Sequence, residues 1–121
     1  MGRYVEKPWG HELIWAEDGP YLGKILVIEP GKRLSLQYHE VKDETILVQE
    51  GTLRLHLADA EGVVRVEDVP SGESRRVLAG RIHRYEAAAE RVTLIEVSTP
   101  ELDDVVRLED RYGRADSTAR K

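Results

Sequence analysis

The stretch Gly31-Lys32-Arg33-Leu34-Ser35-Leu36-Gln37-Tyr38-His39-Glu40-Val41-Lys42-Asp43-Glu44-Thr45-Ile46-Leu47-Val48-Gln49-Glu50-Gly51 decides how this chain is read. Its first half alternates. Leu34, Leu36 and Tyr38 share one side of an extended chain, and Arg33, Ser35, Gln37 and His39 share the other. Successive side chains of a strand leave opposite faces of the pleat. The Gln37 amide and the His39 imidazole therefore leave the same face and can converge on one point. Residues 40–43 allow a turn, and Glu44 opens a second run on the neighbouring strand, able to face back into the same interior.

Working outward, turn signals recur at Lys7-Pro8, Asp18-Gly19-Pro20, Pro30-Gly31, Glu50-Gly51, Glu61-Gly62, Pro70-Ser71-Gly72, Ala79-Gly80 and Thr99-Pro100. Between them lie short apolar or alternating runs over 12–15, 22–28, 33–39, 45–49, 52–57, 63–69, 75–78, 82–85 and 92–98. Leu53, Leu55 and Leu57 share one face of their run, and Arg54 and His56 the other. Strands at this spacing, separated by turns, predict an all-β sandwich or barrel. The one helical candidate is the short acidic segment 102–112, with 101–104 suited to a helix N-terminus.

Length and composition agree. The 121 residues suit one domain, expected over 1–121 with 115–121 as a frayed tail. Hydrophobic residues make up 40%, with no Phe and one Met, and branched aliphatics fit pleated, half-buried surfaces. The net charge of −5 lacks the basic footprint of a duplex-binding domain, so nucleic acid is excluded as a partner. Only the end, with Arg114, Arg120 and Lys121, is locally basic. The absence of cysteine excludes disulfides and thiolate ligands. The longest aliphatic run, 25–28, is far short of a membrane span and no signal peptide precedes it. A soluble cytoplasmic protein without membrane contact is expected.

The spacing Gly31-x5-Gln37-x-His39-x4-Glu44-x6-Gly51 resembles the first motif of the cupin superfamily, with Gln37 where the first histidine usually stands. Gly72, Gly80 and His83 fall at the intervals of the second motif, with Leu78 in place of its proline and Ala87 in place of its asparagine. The resemblance implies a double-stranded β-helix, the jelly-roll barrel of cupins, holding one divalent metal through Gln37, His39, Glu44 and His83. The donor set suits that role, since two imidazoles, a carboxylate and an amide oxygen accommodate zinc first, and also Mn, Fe, Co or Ni. Four protein ligands leave room for water or substrate on a five- or six-coordinate ion. His11 and His56 have no companions at ligand spacing and are read as structural or solvent-facing.

A closer resemblance rests on Pro8-Trp9-Gly10, the string Leu34-Ser35-Leu36-Gln37-x-His39, Ile82-His83-Arg84, Leu94-Ile95-Glu96-Val97 and Asp103-Asp104-x-x-Arg107-x-x-Asp110-x-Tyr112-Gly113-Arg114, all in one order. These are similar to the C-terminal cupin domain of type II mannose-6-phosphate isomerases, which are often fused to a mannose-1-phosphate guanylyltransferase. Glutamine at the first ligand position is a feature of that family. Around the glutamate the family reads Arg-x-Glu-His-Trp, where this chain has Lys42-Asp43-Glu44-Thr45-Ile46. The resemblance implies a stand-alone cupin acting on a sugar or sugar phosphate as an aldose–ketose isomerase. Arg107 would meet phosphate or developing oxyanion, Glu96 would be the base, and Lys24 and Arg33 would be further substrate contacts. Two other readings are a metal-dependent module that binds a sugar or small acid without turnover, and an Fe-dependent dioxygenase. A homodimer is expected on the same grounds, with Trp9 and Trp15 on the outside of the barrel or across its dimer contact.

Overall fold

The computed structural model describes residues 2–112. Within them lie β1 (Arg3–Lys7), β2 (Gly10–Ala16), β3 (Leu22–Ile28), β4 (Leu36–Tyr38), β5 (Glu44–Glu50), β6 (Leu53–Ala58), β7 (Val64–Val69), β8 (Ser74–Val77), β9 (His83–Glu86), β10 (Val92–Ser98) and β11 (Val106–Glu109). All paired neighbours are antiparallel. They form a six-stranded sheet in the order β1-β2-β3-β10-β5-β8 and a five-stranded sheet in the order β11-β4-β9-β6-β7. No described helix is long and apolar enough to cross a membrane. The expected tail and the Gly113-Arg114 end of the distal string lie outside the described residues.

The core lies between the sheets, where Leu26, Ile28, Ile46, Val48, Leu53, Leu55, Val69, Val77, Val92 and Leu94 pack together. The expected runs at 22–28 and 92–98 coincide with β3 and β10. Two strands escape the sequence reading. β1 is short and mostly exposed, formed by pairing with β2. β11 occupies the segment expected to be helical, and the described residues contain no helix. A short helix carries an unfavourable nucleation cost, whereas Val106 and Arg107 pair with Tyr38 and Gln37 of β4.

Trp9 corrects a second expectation. It is 2% exposed and belongs to the core, while Trp15 is 47% exposed. The alternation through 33–39 is also broken. Arg33 stands opposite Glu86 and Gln37 opposite His83, so four steps on one strand face three on the other. The extra residue is a bulge. It lets Leu34 join the core while Gln37 and His39 both reach the interior cavity.

Candidate metal centre

His39, Glu44 and His83 are buried, and one ligand atom from each lies within 4.8 Å of the others. His39 follows β4 and His83 opens β9, both on the five-stranded sheet, while Glu44 opens β5 on the opposite sheet. The carboxylate thus reaches in from across the barrel and not from a neighbouring strand of the same sheet.

Hydrogen bonds orient both rings. His39 Nδ1 lies 2.6 Å from the Asp104 carbonyl oxygen, and His83 Nδ1 lies 2.9 Å from that of Arg81. A carbonyl only accepts, so each Nδ1 carries the proton and each Nε2 presents its lone pair to the interior. His39 Nε2 and His83 Nε2 are buried with no hydrogen-bond partner, and Glu44 Oε1 beside them is met by the Lys42 ammonium at 3.3 Å. His39 Nε2 and Glu44 Oε1 approach to 3.1 Å, about the separation of two atoms at right angles around an ion about 2.1 Å from each. Orphaned buried acceptors such as the two Nε2 atoms cost stability, and a cation would satisfy both together with the Glu44 carboxylate. The donor set therefore fits a divalent metal.

Electrostatics prepare the same atoms. Burial pushes the His83 imidazole down, keeping it neutral as a ligand requires. Burial alone would push the Glu44 carboxyl up, but the Lys42 ammonium at 3.3 Å helps to hold it below the usual range. Tyr85, raised well above an ordinary phenol by burial and by Glu44, stays protonated and donates to Glu44 Oε2.

Gln37 is half-buried opposite His83 and lines the cavity, with its Oε1 accepting a 2.6 Å hydrogen bond from Ser35 Oγ. The cavity has a volume of about 310 Å³ and is also lined by Lys7, Glu12, Lys24, Lys42, Glu96, Asp103 and Arg107. Lys24 is buried, with its Nζ 3.4 Å from Glu12. Lys42 Nζ bridges Glu44 at 3.3 Å and Glu96 at 2.9 Å. Burial pulls the Lys42 ammonium down, but the two carboxylates more than reverse that and raise it. Burial and then Glu44 push Glu96 up, against the pull of Lys42 and Lys24. Arg33 is not among the cavity-lining residues, and it pairs with Glu86. His56 Nε2 lies 2.8 Å from the Glu86 carboxylate, and His11 stacks on Tyr4.

Sequence reasoning missed Glu12, Lys42 and Asp104. Lys42 sits in a turn, where no periodicity marks an inward side chain. Asp104 clamps that turn. Its carboxylate accepts the backbone N–H groups of Glu40, Val41 and Lys42 at 3.0, 2.7 and 2.9 Å. Its own carbonyl meanwhile holds His39. Asp43 and Thr99 add a reciprocal pair of hydrogen bonds. From the other side the Gly80 N–H donates to the His39 carbonyl at 2.7 Å, from a left-handed conformation of φ +84° suited to glycine. The distal Asp-Asp-x-x-Arg string was the available signal for Asp104.

Two facing antiparallel sheets with two histidines and a glutamate buried between them define the cupin class. Residues 1–110 match the family model described as mannose-6-phosphate isomerase C-terminal, and the chain belongs to that family. Among its relatives, mannose-1-phosphate guanylyltransferase ManC of Salmonella typhimurium is 38% identical over 119 residues, covering 94% of this chain and 24% of the relative. Alginate biosynthesis protein AlgA of Pseudomonas aeruginosa is 30% identical over 114 residues, covering 91% and 23%. The chain thus spans about a quarter of the length of these relatives. Solved structures share the fold. The capsular polysaccharide assembling protein CapF of Staphylococcus aureus superposes with a TM-score of 0.77 at 16% identity, over 90% of this chain and 34% of that one. Oxalate decarboxylase of Bacillus subtilis gives 0.78 at 16% identity, over 88% and 30%.

Proposed function

We propose that this cupin holds one divalent metal, zinc first, through His39, Glu44 and His83, with Gln37 as a further oxygen ligand, and acts there on a sugar phosphate as an aldose–ketose isomerase. The observation that carries the reading is the convergence of three buried ligand atoms, with two unpartnered imidazole nitrogens already held in the metal-binding tautomer. Charge supports the choice of ligand. The cavity is lined by Lys7, Lys24, Lys42 and Arg107 against Glu12, Glu44, Glu96 and Asp103, four charges of each sign. A divalent cation leaves an excess of two positive charges, which a phosphate monoester of about −1.5 to −2 matches. The AlgA, ManC and other relatives carry names from sugar-phosphate and polysaccharide biosynthesis, in keeping with such a substrate.

A bound divalent ion supplies Lewis-acid polarisation of the substrate oxygens at C1 and C2. Glu96 removes the proton from C2 and returns it at C1 while the hydroxyl proton passes from O2 to O1, and Lys42, 2.9 Å away, holds that carboxylate in place. Arg107 pairs with the phosphate. Tyr85 and Asp104 keep Glu44 and His39 aimed inward.

The test combines elemental analysis of protein purified without a histidine tag with an assay of mannose 6-phosphate conversion to fructose 6-phosphate under Zn, Mn, Co and Ni. Near-stoichiometric metal, lost in His83→Ala, together with conversion that Glu96→Gln abolishes, is expected. Metal without conversion by any of the four removes the isomerase. If mannose 6-phosphate then raises the melting temperature only in the metal-loaded protein, the site is a binding module. No metal in either protein removes the whole reading.

A further inference from the structure

One oxygen of Glu44 is asked to serve two cations. Its Oε2 accepts from the Tyr85 hydroxyl, which fixes the carboxylate. Its Oε1 faces His39 Nε2 at 3.1 Å and the Lys42 ammonium at 3.3 Å. An ion held by His39, Glu44 and His83 therefore shares that oxygen with a positive charge of the chain's own.

Lys42 is confined to the cavity. It is 3% exposed, and the turn that carries it is tied at three successive amides by the Asp104 carboxylate. A desolvated ammonium needs a carboxylate beside it. Two are within reach, Glu44 Oε1 at 3.3 Å and Glu96 Oε2 at 2.9 Å. They stand on adjacent strands, β5 and β10. The other buried lysine of the cavity, Lys24, pairs instead with Glu12 on β2, at 3.4 Å.

We infer that Lys42 competes with the metal for Glu44. In the metal-free protein its ammonium neutralises the Glu44 carboxylate. In the metal-loaded protein it is left to Glu96, already the nearer of its two partners. The inference rests on the metal centre proposed above and adds that the chain itself limits how tightly that centre binds. Two positive charges on one oxygen repel strongly where little water intervenes, so the ammonium lowers metal affinity. Its removal leaves two buried carboxylates uncompensated, so the same side chain stabilises the metal-free protein. One residue thus has opposite effects on the two states.

Zinc titration of the chelator-treated full chain against a chromophoric competitor at neutral pH tests this. Lys42→Met is expected to bind zinc about 10-fold or more tightly than the parent, and to melt at a lower temperature before zinc is added. Glu96→Gln leaves the ammonium only Glu44 to pair with and is expected to bind zinc more weakly. Lys24→Met removes an equal charge from the same cavity but not from Glu44, and is expected to keep the parent's affinity. Lys42→Met that binds zinc no more tightly than the parent overturns the inference. So does an equal gain in Lys24→Met, which would assign the effect to the general field of the cavity. If circular dichroism shows Lys42→Met unfolded, Glu96→Gln decides: weaker binding upholds the competition, and unchanged or tighter binding overturns it. A parent protein that binds no zinc overturns the metal centre itself, a result distinct from a parent that binds zinc and a Lys42→Met variant that binds it no better.

Discussion

The barrel interior has two halves built on the same strands, and they differ in what they contain. Toward one end β3, β5 and β10 contribute Ile28 and Leu26, Val48 and Ile46, and Val92 and Leu94, all 1% exposed or less. A few residues along, the same inward faces carry Lys24, Glu44 and Glu96. β9 changes likewise from Tyr85 to His83. The alternation in and out is unbroken, so both halves obey one folding rule. Only the dry half gains from burial, roughly 25 cal/mol per Å² of apolar surface. The charged half must offset the desolvation of its ions by pairing them. One end of the barrel thus holds the sheets together and the other lines a charged cavity.

Leu94→Ala tests the dry half. It is expected to cost about 2–5 kcal/mol in denaturant unfolding, while metal content per folded molecule stays unchanged. A comparable loss of metal would show that the halves are not separable.

The charged half should answer differently to one change and to two. Glu12→Leu leaves the Lys24 ammonium buried without its carboxylate and is expected to cost about 3 kcal/mol. Adding Lys24→Met should recover most of that stability while conversion of sugar phosphate falls. If the double variant is as unstable as the single one, the pair itself contributes stability and the contrast between the halves weakens.

Asp104 sharpens the comparison through pH. Burial pushes its carboxyl up, but the three amide donors more than offset this and lower it below the ordinary 3.8. A lowered folded value means that its contribution is complete above the ordinary value and is lost as pH falls through the folded one. Asp104→Asn is therefore expected to cost about 2 kcal/mol at pH 7, with the gap to the parent protein closing below about pH 4. Metal affinity at neutral pH should fall about 10-fold or more as His39 loosens. Equal destabilisation at all pH values would mean that the charge is not what the turn uses.

The smallest effect is expected at Gly80→Ala, about 1 kcal/mol from the left-handed backbone alone, since a Cβ there meets nothing within 4 Å. A larger loss, read by thermal unfolding, would show that the Gly80–His39 link tolerates no adjustment.

Much of the site was legible because it rests on local rules. Alternation placed Gln37 and His39 on one face, and Gly51 and Gly80 marked positive-φ turns. Lys24 was also readable, since it shares its face of β3 with Leu26 and Ile28. Trp9 and the 102–112 segment were misplaced because their surroundings are supplied by distant parts of the chain. Trp9 is held where its carbonyl accepts from Glu29, and β11 exists only because β4 offers an edge.

The sequence alone determined the strands that alternate and the turns between them, since each depends on neighbours a few residues away. Only the tertiary structure decided that Glu44 approaches from the sheet opposite His39 and His83. It also decided that Glu12, Lys42 and Glu96 crowd the same cavity, that Arg33 stays outside it, and that a bulge at 34–36 turns Leu34 inward. A period of two fixes which side of a strand a residue occupies, but strand order and register across the barrel are set by pairings tens of residues apart, to which no local pattern responds.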